Sequence, residues 1–309
     1  MMKKLLALVL TLLMLLCSLP ALADTTSDTL DALGKDVYKT TYEALQDGEV
    51  VQKGSKGAAA KGVQETLVAF GQGISVDGNV GSKTIKALNA VQEAFGLPAT
   101  DSLDADGYAQ LLPRLLVATD PDKAEEVLAG QMDEAEFIYM QACASVAQGK
   151  YYTAKKLFTE SGYGDWQARA EACAQPWPKT GVLYKNSSVK GSSTELAVKY
   201  NSDDGSAMIV KVYTTDGVLA RTMFIAGTGK AKCSLPAGTY IVKDGTGDTW
   251  YGEEEAFGEE GYYKVMTFDD GSEELKLKKN YITTITINVK DEKSKGDSVG
   301  SNWENWGNF

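Results

Sequence analysis

Lys53-Gly54-Ser55-Lys56-Gly57 opens a stretch that runs to Leu112 and decides how the first half of the chain reads. Behind it, a helical pattern sets Val63, Leu67 and Val68 on one face. Val76-Asp77-Gly78-Asn79-Val80-Gly81-Ser82-Lys83-Thr84 follows as a turn, and a second helical pattern carries Ile85, Leu88, Val91 and Phe95. Gly96-Leu97-Pro98 ends that helix. A third, shorter pattern holds Tyr108, Leu111 and Leu112. Short amphipathic helices spaced in this way can close a small core. Gly78 and Gly81 permit turn dihedrals that a Cβ would oppose. Asp77 can accept backbone N–H bonds in the turn, and Ser82 or Thr84 can sit near the N-cap of the second helix. Turn chemistry therefore accounts for these residues, which weighs for a fold role over direct ligand contact.

The same order and spacing resembles the peptidoglycan-binding-like domain. The resemblance is carried by Gly54, Gly57, Val63, Gln64, Leu67, Gly71, Asp77, Gly78, Gly81, Thr84, Ala87, Phe95, Gly96, Leu97 and Leu112. It implies a three-helix bundle over 47–116 that attaches to cell wall without catalysis. Gln64, Asp77, Asn79, Thr84 and Gln92 are then the candidates for peptidoglycan contact. The chain departs from the family pattern at Asp104-Ala105-Asp106-Gly107-Tyr108, where a second Asp-Gly followed by Thr is usual.

The chain has 309 residues, enough for two or three domains, and ordinary apolar content. Met1-Met2-Lys3-Lys4, an apolar run and Ala21-Leu22-Ala23 read as a secretory signal over 1–23. Leu16 before Cys17 argues against a lipoprotein. Cleavage would leave 29 basic and 42 acidic residues, a net −13. Such a chain is poorly suited to nucleic acid, and wall binding must then come from specific sugar or peptide contacts. No later segment is long and apolar enough to anchor it in a membrane, so the expected location is secreted and wall-associated.

Residues 24–46 are periodic through Leu30, Leu33, Val37, Thr41 and Leu45, weakened at Gly34, and read as a helix or linker into the bundle. Asp120-Pro121-Asp122 starts a helical block over 120–176. Within it Gly149, Lys150, Tyr151, Ala154, Phe158, Gly162, Tyr163, Asp165, Ala170 and Cys173 resemble a single tetratricopeptide-type hairpin. Stable arrays of such repeats need at least three, so the hairpin is read as a spacer. Cys143 and Cys173 could pair in a disulfide, or be two small buried residues.

Pro176-Trp177-Pro178 closes the helical block, and the period falls to two. Strands are expected at 181–184, 195–200, 207–213, 219–225, 232–235, 238–243, 262–268, 274–277 and 281–289. Many short strands divided by turns such as Thr215-Asp216-Gly217 argue for an antiparallel β-sandwich over 178–290. Val210-Lys211-Val212-Tyr213-Thr214-Thr215-Asp216-Gly217, followed by Leu235-Pro236-Ala237-Gly238-Thr239-Tyr240-Ile241-Val242, is similar to the ends of transthyretin-like and carboxypeptidase-regulatory-like sandwiches. Trp250, Tyr251 and Phe257 lie among glycines and acids and are candidates for glycan or partner contact; the alternative is that they plug the sandwich core. Asp244, Asp248, Glu253, Glu254 and Glu255 lack the spacing of a calcium loop. Residues 291–309 read as a disordered tail made sticky by Trp303, Trp306 and Phe309.

The chain has no histidine, which removes the ligands of zinc amidases and the usual base of cysteine peptidases. Ser187 and Lys190 match a Ser-x-x-Lys spacing but fall in a polar turn between expected strands. The sequence thus predicts a multi-domain α + β protein: an N-terminal three-helix bundle, a helical hairpin spacer and a C-terminal antiparallel β-sandwich. No catalytic residue, metal or cofactor is expected. Peptidoglycan is the expected partner, with a further surface protein possible at the sandwich. The alternative is a secreted scaffold whose wall module no longer binds.

Overall fold

The computed structural model describes residues 25–268, 271–289, 301–303 and 309. The expected signal segment, 1–23, lies outside the described residues. The chain divides into two compact units, the first ending at Cys173 and the second beginning at Ala174.

The first unit is helical. α1 (Thr26–Leu33) stops at Gly34, which takes the left-handed conformation at φ +63° and returns its N–H to Leu30 O. α2 (Asp36–Gln46) follows directly, so the expected single helix is two. The N-terminal segment packs on the bundle, with Tyr38, Thr41 and Leu45 all buried. α2 lies against α3 (Ala58–Ala69) so closely that a Cβ built on Gly62 would stand 1.7 Å from Thr41 Oγ1. α4 (Ser82–Ala94) is the second bundle helix. β1 (Val51–Gln52) pairs antiparallel with β2 (Ser102–Leu103) and ties the entry of the bundle to its last helix.

That helix, α5 (Ala105–Thr119), begins where the sequence departs from the family pattern. Asp104 is its N-cap, accepting the Gly107 N–H at 2.9 Å. α5 runs on through Pro113 and buries Leu115 and Leu116. α6 (Pro121–Leu128) starts on the Asp120 cap, and α7 (Glu134–Ala147) on a capping box of Asp133 and Glu136. α8 (Tyr151–Ser161) and α9 (Trp166–Ala172) complete the unit. Tyr38, Val63, Leu88, Leu112, Met140, Ala154 and Phe158 belong to one continuous core. The bundle and the later helices are therefore one packed body. Small residues allow it: Ala142 and Ala154 are fully buried, and Tyr139 meets Phe158 edge-on at 5.1 Å between ring centroids.

The second unit is β-rich. Its strands are β3 (Gly181–Lys185), β4 (Thr194–Ser202), β5 (Ala207–Thr214), β6 (Leu219–Ile225), β7 (Gly229–Leu235), β8 (Gly238–Gly247), β9 (Tyr262–Met266), β10 (Glu274–Leu277), β11 (Ile282–Val289) and β12 (Ser301–Trp303). One sheet has the order β12-β9-β8-β5-β6-β3, with β10 also pairing β8. The other has the order β11-β4-β7. Leu196, Val198 and Tyr200 from one sheet share a core with Met208, Val210, Val242 and Leu275 from the other.

Two expectations are corrected here. The sheets are not wholly antiparallel, because β11 runs parallel to β4, pairing Ile282 with Glu195 and Val289 with Ser202. The chain reaches β11 from β10, which belongs to the opposite sheet. No hairpin fixes the direction of β11, and hairpins are what impose antiparallel pairing. The expected disordered tail includes two described pieces: β12 pairs antiparallel with β9, and Phe309 is buried against Tyr263 at 4.7 Å. The remainder of 291–309 lies outside the described residues.

Candidate functional site

Gln64, placed on α3, is 1 % exposed and organises the turn before α4. Its Nε2 donates to Asp77 Oδ1 at 2.9 Å and to Asn79 O at 3.1 Å, with Thr84 Oγ1 at 3.4 Å. Its Oε1 accepts the Asp77 N–H at 3.1 Å and the Gly78 N–H at 2.7 Å. One buried amide thus uses both its donor and acceptor sides on the loop. The opening Lys53–Gly57 segment closes on the same loop, with Gly54 N to Val80 O at 2.9 Å and Gly57 N to Gly78 O at 3.1 Å. Asp77 carries its charge readily: the Gln64 donor, then the Asn79 N–H, hold its carboxyl below the usual carboxylate range.

The structure therefore brings Gln64, Asp77, Asn79 and Thr84 together and spends much of their hydrogen-bonding capacity internally. Thr84 is buried, whereas Asp77 and Asn79 are exposed on the rim. Gln92 lies apart from them and is also buried. Its amide donates to Thr100 Oγ1 at 2.9 Å and accepts the Thr100 N–H at 3.0 Å, fastening the segment beyond α4.

A concave site lies elsewhere on the same unit. A cleft of about 420 Å³ opens where the end of α4 and the 71–73 loop face the turn between α7 and α8. Its polar lining includes Gln72, Glu93, Gln148, Tyr151 and Arg169. Gln72 Nε2 donates to Ala147 O at 2.7 Å across the cleft, and Gln148 Nε2 donates to Ala118 O at 2.9 Å. Arg169 is pinned from behind: Nε donates to Tyr139 Oη at 3.1 Å and Nη2 to Ala94 O at 3.1 Å, while the guanidinium stacks near Phe158. Tyr139 in turn bonds Asp165. None of these cleft residues was singled out from sequence as a contact residue. The glycines at 71, 73 and 149 that flank them were the available signal.

Trp250, Tyr251 and Phe257 do not form an exposed platform; they are at most 3 % exposed. Trp250 and Phe257 pack with Phe224, Ile209 and Tyr263 against the outer face of the larger sheet. The neighbouring glycines give the rings a flat backbone to lie on, since a Cβ at Gly245 or Gly247 would meet Tyr263 or Phe257 at 2.6 or 2.7 Å. The segment is a second apolar layer, which is why β5 is buried on both faces.

Cys143 and Cys173 do not form the disulfide that sequence allowed. Both are buried. Cys143 faces the Arg169 guanidinium, and burial pushes its thiol up to about 12 despite that cation. Among the described residues, no cluster of three or more His, Cys, Asp or Glu is placed to hold a metal ion, and no helix is long and apolar enough to cross a membrane.

Residues 56–111 match the family model described as "Putative peptidoglycan binding domain". The match runs from the loop that closes on the Asp77 turn to the middle of α5. No curated protein matches the chain.

Proposed function

With the family match over residues 56–111 as the premise, we propose that this is an exported, non-catalytic protein that docks on peptidoglycan through its helical unit and offers its β unit to a partner at the cell surface. The observation that carries this reading is the family match over residues 56–111, a segment that includes the Gln64-centred turn. The basic, apolar and Ala-x-Ala opening of the chain supports export. The lack of histidine supports attachment over zinc-dependent hydrolysis.

Co-sedimentation of the mature protein with polymer-stripped peptidoglycan tests the proposal, with cellulose as the control solid. Pelleting with peptidoglycan alone, without release of soluble sugar or amino groups, is the expected result. Deleting residues 48–116 would be a poor control, because those residues share one core with α7 and α8. A protein left in the supernatant would favour the scaffold reading, which the internal use of Gln64, Thr84 and Gln92 already makes coherent.

A further inference from the structure

We propose that the glycan strand of peptidoglycan is taken in the cleft between α4 and the α7–α8 turn, as neutral N-acetylated sugar rings lying on Tyr151; this rests on the peptidoglycan reading above. The cleft, at about 420 Å³, is sized for a small ligand. Its lining includes open polar groups. Arg169 spends Nε and Nη2 on the protein, leaving the two N–H bonds of Nη1 without a protein acceptor among the described residues. Glu93 is exposed on α4 and forms no ion pair among the described residues. Gln72 and Gln148 commit their amide nitrogens to backbone carbonyls, so their oxygens remain as acceptors.

This donor and acceptor balance selects the ligand class. Three acceptors, one of them charged, stand against one cation. Sugar hydroxyls supply donors to Glu93 and the two amides, while an acetamido carbonyl accepts from Arg169. An anionic stem peptide would satisfy Arg169 but would be opposed by Glu93 and by the acidic chain. The half-buried Tyr151 adds an aromatic face and a hydroxyl at the same place. The rear contacts of Arg169 hold its guanidinium fixed before any ligand arrives, which lowers the ordering cost of binding. The cleft uses α7, α8 and α9, which lie beyond residues 56–111, so the matched module does not form it alone.

The test uses the intact mature protein with Glu93→Ala, Tyr151→Ala and Tyr151→Phe. Each side chain is exposed or half-buried, and melting curves check the fold. Peptidoglycan binding should weaken about tenfold or more in the two alanine variants, and by less in Tyr151→Phe, which keeps the ring. An N-acetylglucosamine trimer should shift the amide resonances of Gly71, Gly73 and Gly149, and a free stem peptide should not. Alanine variants that melt normally and pellet like the parent overturn the inference and leave peptidoglycan binding standing. Shifts with the peptide but not the glycan also overturn it. If the parent does not pellet, the peptidoglycan reading falls and takes this inference with it.

Discussion

Replacing Gly62 by alanine sets two physical effects against each other with opposite signs. Gly62 lies inside α3, where alanine is favoured over glycine by about 1 kcal/mol on helix propensity. Packing argues the other way. The new Cβ would stand 1.7 Å from Thr41 Oγ1, 3.0 Å from Thr41 Cβ and 3.2 Å from Thr41 Cγ2. Rotating the threonine relieves the shortest contact but breaks its bond to Val37 O, now 2.6 Å, at a cost of about 1 kcal/mol. The 3.0 Å contact survives any rotation, so α2 must also move. Overpacking of this kind costs about 1–3 kcal/mol. The balance is a net destabilisation of about 2 kcal/mol. Denaturant unfolding followed at 222 nm reads it, because the helical unit dominates that signal. Thr41→Ala removes Oγ1 and Cγ2 but keeps the 3.0 Å Cβ contact, whose remaining strain about offsets the helix-propensity gain, so Gly62→Ala should be nearly neutral in that background, a coupling of about 2 kcal/mol. A Gly62→Ala variant as stable as the parent, or one that Thr41→Ala fails to rescue, refutes the close docking of the N-terminal helices on the bundle.

Gln64→Ala should lower the stability of the helical unit by about 2 kcal/mol by stranding the loop N–H groups it accepts; the Gly78 amide should then exchange faster with deuterium. Asp77 has its pKa lowered in the fold, so the stability it brings is present above its unfolded value of 3.8 and fades as pH falls below it, and Gln64→Ala should flatten that acid limb. Asp244 behaves in the opposite sense. Burial raises its pKa to about 7 against a weak pull from Lys264 at 3.9 Å, so the β unit should lose on the order of 3 kcal/mol as pH climbs from 4 to 8. Asp244→Asn should remove most of that slope, seen as a pH-independent melting temperature for the sheet transition. Cys143 should resist iodoacetamide at pH 8 until the chain is unfolded, since its thiol is both buried and raised to about 12; mass spectrometry of the labelled peptides decides.

What was legible in the sequence was the local pattern. Helical spacing located α3 and α4, and period two located β3 to β11 within a few residues of each end. Local pattern does not carry long-range pairing. The parallel pairing of β11 with β4 depends on a crossing between sheets that no turn residue announces. The single core of the helical unit was missed for a related reason. Ala142 and Ala154 signal close approach, but not which helix approaches. Trp250 and Phe257 were ambiguous because glycine neighbours suit both an exposed platform and a ring pressed on backbone; only the geometry at Gly245 and Gly247 separates the two.

The candidate contacts Gln64, Thr84 and Gln92 illustrate why a motif and a site need not coincide. A buried amide must have its hydrogen bonds met, and leaving one unmet costs about 1–3 kcal/mol. Folding alone therefore fixes such residues, whatever the surface binds. Their pattern identifies the fold well for the same reason that it identifies the ligand poorly. Ligand chemistry has to come from groups the fold does not consume, which in the proposed cleft, among the described residues, are the Arg169 Nη1 donors, the Glu93 carboxylate and the Tyr151 ring. Arg169 and Tyr151 come from helices added after the matched module. On the inference drawn above, the matched module keeps the architecture of the domain it resembles while the surface offered to sugar is set by the rest of the unit.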